Sequence, residues 1–193
     1  MKRILASLAL LAALSPAACG GDDDGAGVDV EGPYAKDASG RAVKDGEWSL
    51  LFTASNLSRA LGDIHAFGVH DEATVDLRIE PTSLKTRAQN PGQVARSLRI
   101  RVSDVETDGS YLSSADTTPH PGEQVTGPPL SAIDAGAVER IARQVAEEGG
   151  VDLLGIDYIT TLVRTKPFRW GIYLEDGRRW EANLDGTGVM PVP

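Results

Sequence analysis

Two stretches of the chain place apolar residues at the i, i+3, i+4, i+7 spacing that lines one face of a helix: Leu57, Ala60, Leu61 and Ile64, then Val138, Ile141, Ala142 and Val145. Gly68 follows the first and Gly149-Gly150 the second, in the places where glycine ends a helix. After each helix the apolar period changes from 3.6 to 2. Val75, Leu77 and Ile79 alternate with Asp76, Arg78 and Glu80. Leu98, Ile100 and Val102 then alternate with Arg99 and Arg101 beyond the turn Asn90-Pro91-Gly92. In the second stretch Ile156 to Val163 is rich in β-formers, and Phe168, Trp170, Ile172 and Leu174 alternate. Asp176-Gly177 makes a hairpin turn into Trp180, Ala182 and Leu184. Alternation this clean predicts antiparallel strands with one buried face.

The two patterns are offset by 81 residues in the helices, and the same offset carries Phe52 onto Ile133 and Thr53 onto Asp134. The last apolar trio is offset by 82. The expectation is therefore an α+β fold of two tandem β-α-β-β-β repeats, each with one helix packed on an antiparallel sheet. The first repeat covers residues 46–105 and the second 130–193. Residues 106–129 are a turn-rich linker containing Asp108-Gly109, Pro119-His120-Pro121-Gly122 and Pro128-Pro129. A copy of about 60 residues has a thin core by itself, so the two are expected to pack together, edge to edge or face to face.

The N-terminus has a different pattern. Met1-Lys2-Arg3 precedes the uncharged apolar run Ile4 to Leu14, the length of a signal h-region and short of the roughly 20 residues that span a membrane. Pro16-Ala17-Ala18-Cys19 then resembles the lipobox of bacterial lipoproteins, with Pro16 standing where Leu, Val or Ile is usual. The resemblance implies a signal peptide over 1–18, acylation of Cys19 with palmitate-type chains, and a cell-envelope protein. Such a protein sits on the outer side of the cytoplasmic membrane or in the periplasm or outer membrane. Two or more acyl chains anchor stably, since each buried CH₂ contributes about 0.8 kcal/mol. Residues 19–45 read as a flexible acidic tether. Asp22-Asp23-Asp24-Gly25 satisfies no EF-hand register and belongs to that tether.

Composition narrows the chemistry. Of 193 residues, 19 are Lys or Arg and 28 are Asp or Glu, a formal charge of -9. Removing residues 1–18 takes Lys2 and Arg3 and no acid, so 17 basic residues face 28 acidic ones, or -11. That balance argues against nucleic acid and against charge-driven attachment to anionic lipid. A single Cys excludes an internal disulfide and a multi-Cys zinc site. His65 and His70 are five apart and straddle Gly68, the wrong spacing for a metal, and His120 lies between prolines. No G-x-S-x-G or S-x-x-K element accompanies Ser113-Ser114. No phosphate-loop glycine motif occurs, and Asp185-Gly186-Thr187-Gly188 reads as a turn. No catalytic residue, cofactor or metal is expected.

Aromatic and basic residues concentrate in the last hairpin. Trp170 and Trp180 fall on its apolar face. Tyr173 falls on the other, with Arg169, Arg178 and Arg179 nearby as a possible partner surface, since Trp, Tyr and Arg dominate interface hot spots. Arg99 and Arg101 hold the matching strand of the first copy. The helices Leu57–Ile64 and Val138–Val145, with the Tyr173-Leu174-Glu175-Asp176-Gly177 hairpin leading to Trp180, resemble PepSY-like envelope domains over residues 46–189. That resemblance implies a non-catalytic module for peptidase inhibition, sensing or regulation, binding an envelope protein. The alternative is a small-molecule or lipid carrier with a cavity between helix and sheet.

Overall fold

The computed structural model describes residues 51–102 and 113–193. Helix α1, Ala54–Ala66, precedes four strands: β1 Thr74–Glu80, β2 Ser83–Gln89, β3 Ala95–Val102 and β4 Ser113–His120. Helix α2, Ala135–Gly149, precedes four more: β5 Ile156–Leu162, β6 Arg169–Leu174, β7 Arg179–Asn183 and β8 Met190–Val192. All eight form one antiparallel sheet in the order β4-β3-β2-β1-β5-β6-β7-β8. The halves meet edge to edge through β1 and β5, in the register Arg78↔Thr160 and Ile79↔Ile159. That seam is short. Beyond it the Leu77 N–H donates to Thr161 Oγ1 at 2.9 Å, and Thr160 Oγ1 donates to Leu77 C=O at 2.7 Å. Two hydroxyls thus occupy the buried groups that a longer ladder would have paired.

Both helices lie on one face, over a single apolar cluster that runs through both halves. Leu57, Ala60 and Ile64 of α1, Val138, Ile141, Ala142 and Val145 of α2, and Val75, Leu77, Ile79, Trp170 and Ile172 of the sheet are fully buried. Trp170 also donates from Nε1 to Leu184 C=O at 3.3 Å, so its one polar atom is satisfied within the core.

The helix ends are built differently. Asp134 caps α2 by accepting from Gly136 N–H at 2.8 Å, and Gly150 closes it in the left-handed conformation at φ 67°. At α1 Thr53 makes no side-chain cap, and Glu139 of α2 accepts from Ala54 N–H at 2.7 Å. Glu139 is buried and also accepts from Arg143 Nε at 2.9 Å, so one carboxylate joins the start of α1 to the middle of α2. At the other end of α1, Asn90 Nδ2 donates to Gly68 C=O at 2.8 Å, and Asn90 Oδ1 accepts from His70 N–H at 2.9 Å.

Three expectations need correction. The leading strand expected in the second copy is a single 3₁₀ turn, Leu130–Ala132, while that of the first copy falls on residues 46–50, outside the described residues, with Leu51–Thr53 a turn. Next, residues 113–120, assigned to the linker, form β4, which completes an eight-pair ladder with β3. Finally, the end of that linker docks on β1: Val75 N–H donates to Pro128 C=O at 2.9 Å, and Leu130 N–H to Ala73 C=O at 2.9 Å. A Cβ on Gly127 would lie 1.8 Å from Val75 C=O, so only glycine allows this approach. The expected signal peptide, Cys19 and the expected tether fall outside the described residues, as do residues 46–50 and 103–112.

Candidate functional site

The alternation that buries one face of the sheet sends every second side chain to the other, which carries no helix among the described residues. On that open face the ladder sets Arg78 opposite Lys85 and Lys85 opposite Arg99, three cations in one row across β1, β2 and β3. The next row runs Asp76, Arg87, Ser97, Thr118. In the second half Tyr158 stands opposite Tyr173, and Tyr173 opposite Arg179.

These side chains join into one stripe crossing five strands. The Tyr158 and Tyr173 rings stack with centroids 4.4 Å apart and planes 18° from parallel. The Arg78 guanidinium lies 3.6 Å from the Tyr158 centroid, and that of Arg179 lies 5.4 Å from the Tyr173 centroid. Beyond each arginine is a carboxylate bracketed by two cations. Glu80 accepts from Arg78 Nε at 3.0 Å and from Lys85 and Ser83. Glu181 accepts from Arg179 Nη2 at 2.8 Å and pairs with Arg169 at 3.1 Å. Gly171 supports the stack from beneath: a Cβ there would lie 2.8 Å from Leu162 Cδ2 and 3.3 Å from the Tyr173 ring.

The stripe is electrostatically tuned. Burial opposes ionisation of Glu80, but hydrogen bonds from Lys85 and Ser83 and the charges of Lys85 and Arg78 outweigh it, holding its pKa below the ordinary glutamate value. The phenol of Tyr158 is pushed up by burial and by Tyr173 beside it, against the pull of Arg78. Exposed ion pairs contribute about 0–1 kcal/mol each and exposed cation–π contacts about 0.5–1 kcal/mol. The stripe therefore orders the face more than it stabilises the fold.

Next to the stripe, between β1 and β4, the face sinks into a groove of about 410 Å³. Arg78, Lys85, Arg87, Arg99, Ser97 and Thr118 line it, with Asp76. Nε of Arg99 is buried without a hydrogen-bond partner, and the same holds for Nε of Arg169 and Arg179 in the second half.

Of the residues singled out from the sequence, Tyr173, Arg169 and Arg179 come together on this face. Arg178 does not. It lies in the β6–β7 turn, where its Nε donates to Asp176 Oδ2 at 2.7 Å. Trp170 and Trp180 are buried in the apolar core. Sequence reasoning missed Tyr158, Arg78, Glu80, Lys85 and Glu181. The alternation places them on the polar face, but which of them touch depends on a register that no local pattern fixes.

The histidines take part in small local contacts. His65 Nδ1 is 2.9 Å from Val69 C=O, and His70 Nδ1 is 3.4 Å from Glu72. His120 Nε2 is 2.7 Å from Ser97 Oγ, and its Nδ1 is 3.7 Å from Glu123 Oε1. Glu123 is half exposed, and its other oxygen lies 3.4 Å from Arg87. At 3.7 Å the carboxylate makes no hydrogen bond to the ring, so this trio lacks the oriented base that a nucleophilic serine requires. No group of three His, Cys, Asp or Glu side chains among the described residues is placed to hold a metal. The loop from Asp185 is a turn: Asp185 Oδ1 accepts from Thr187 N–H and Oγ1, and Gly186 packs on Ala137 of α2. No helix among the described residues is long and apolar enough to cross a membrane. Set against protein-family models, curated proteins and solved structures, the chain matches none of them.

Proposed function

We propose that this chain is a non-catalytic, lipid-anchored binding or regulatory module of the cell envelope, built from two tandem PepSY-like α+β repeats. Its anchor is Cys19, and its partner is an envelope protein held on the open face of the sheet. The observation that carries the reading is the Arg78–Tyr158–Tyr173–Arg179 stack. Aromatic rings and guanidinium groups in fixed positions are the side chains that supply most interface energy at low cost in conformational entropy. The duplication is supported by the order of elements, one helix and four strands in each half, and by the 81-residue offset of the helical patterns. The carrier alternative receives less support, because large side chains such as Trp170, Phe52, Leu57 and Ile141 fill the space between helices and sheet. The groove beside the stripe is lined by charged residues, unlike a lipid cavity.

The test is in-cell crosslinking and recovery of the full-length protein, with Cys19→Ala as the unanchored control and Tyr158→Ala as the altered face. A near-stoichiometric partner held by the anchored protein and lost in both variants is expected. Retention of that partner by Tyr158→Ala would overturn the assignment of the face. A hydrolase or transferase activity lost on a single substitution would overturn the non-catalytic reading. Cys19→Ala is also expected to release the protein from the membrane fraction, and an unchanged fraction and mass would contradict the anchor.

A further inference from the structure

We propose that the groove between β1 and β4 is a binding site for a phosphate ester, with Arg99 as its principal ligand. This rests on the reading of the open face as the binding face and names a second, chemically distinct site upon it. The first observation is the row Arg78, Lys85, Arg99, set directly opposite one another by the β1–β2–β3 ladder. Like charges facing across a sheet repel, so a native sheet keeps such a row only where something offsets it. Glu80 offsets Arg78 and Lys85, which share its single carboxylate. Asp76 and Glu123 are both engaged with Arg87. Arg99 makes no ion pair with any side chain that is described.

The second observation is independent of charge counting. Nε of Arg99 is buried and has no acceptor, a deficit that is unfavourable when left unfilled. The groove above it is concave and about 410 Å³ in volume, room for a group considerably larger than an inorganic ion. Arg99, Arg87, Lys85, Ser97 and Thr118 line it, together with the Asp76 carboxylate, which is paired with Arg87 at 3.5 Å. A planar fork with a flexible point charge and two hydroxyls suits a tetrahedral, multi-oxygen anion. Glu80 binds its two cations from β1, at the flank of the row, and is not among the groove's lining residues.

The test uses the full chain in detergent and two probes. Glycerol 1-phosphate is titrated by calorimetry, and binding is measured to phosphatidylcholine vesicles with and without phosphatidylglycerol. Arg99→Gln is the test variant. Arg164→Gln, an exposed arginine in the β5–β6 turn, is the control. Arg99→Gln is expected to weaken binding roughly ten- to hundredfold, the loss of a charged hydrogen bond, with Arg164→Gln unchanged. Binding of glycerol 1-phosphate identifies a soluble phosphate ester. Binding only to phosphatidylglycerol vesicles, with the same dependence on Arg99, identifies a lipid headgroup.

Without ligand Arg99→Gln is expected to melt no lower than the parent, because a repelling cation has been removed. If it misfolds, Arg99→Lys, which keeps the charge and loses Nε, is to show an intermediate loss. Absence of binding in both arms would overturn the site, as would equal binding by the parent and both Arg99 variants or equal loss in Arg164→Gln. Partner capture through Tyr158 that survives such a result would leave the binding-module reading standing. Anion binding without any captured partner would remove that reading and keep the site.

Discussion

The two faces of the sheet follow different rules. The helix-bearing face is a continuous apolar layer in which Val75, Leu77, Ile79, Leu84, Ile100, Trp170 and Ile172 are buried, and its energy comes from area removed from water. The open face is an ordered polar layer, held by a ring stack, two guanidinium–ring contacts and two carboxylates each shared by two cations. Bulk and burial make the first face, so substitutions there act on folding. Register and pairing make the second, so substitutions there are expected to have little effect on stability and, under the proposed function, to act on recognition. The difference separates what this fold needs from what it has available for a partner.

The largest test of that division is Trp170→Ala. Removing a fully buried indole should cost about 3–5 kcal/mol, read as a lower denaturation midpoint. A change under about 1 kcal/mol would place Trp170 outside the shared core. Second is Glu139→Ala, which leaves Ala54 N–H without its carboxylate at the α1–α2 junction. A loss of about 1–3 kcal/mol is expected by chemical denaturation, with Glu139→Gln losing less because one acceptor remains. Third is Tyr158→Ala on the open face, which should cost only about 0.5–1.5 kcal/mol while abolishing partner capture. A stability loss matching that of Trp170→Ala would make the stack a second core.

The smallest effect is a pH dependence. Glu80 has its folded-state pKa lowered, so its contribution to stability is fully present above the unfolded value, roughly 4.3, and is lost as pH falls through the folded value. Thermal melts from pH 6 down to pH 2 should therefore show a steeper acid loss in the parent than in Glu80→Gln. Equal slopes would show that the Lys85, Ser83 and Arg78 contacts to Glu80 carry no net energy in solution.

The helix-bearing face was largely legible in the sequence. Leu57 to Ile64 and Val138 to Val145 announce α1 and α2, and the alternation around Leu77, Ile100, Trp170 and Trp180 announces β1, β3, β6 and β7, because burial imposes a period on the chain. Strand β4 carries Ser, Thr, Asp and Pro with no large apolar residue. It is held by its backbone ladder to β3, which leaves no period to read. The same is true of β8, Met190–Val192, at the opposite edge.

The open face was legible only in part. Tyr173, Arg169 and Arg179 stand out as a local cluster in the last hairpin. Their neighbours Tyr158, Arg78 and Glu80 come from strands that meet only in the assembled sheet. Glu139 on Ala54 N–H was hidden for the same reason, 85 residues separating donor and acceptor.

Under the proposed function, recognition belongs to the open face of the sheet. Photo-crosslinking amino acids placed singly at Tyr173, on that face, and at Glu147, exposed on α2, test it in the anchored protein within cells. A discrete adduct from position 173 and none from position 147 is expected. An adduct from position 147 alone, or equal adducts from both, would contradict it and move the binding surface to the helices.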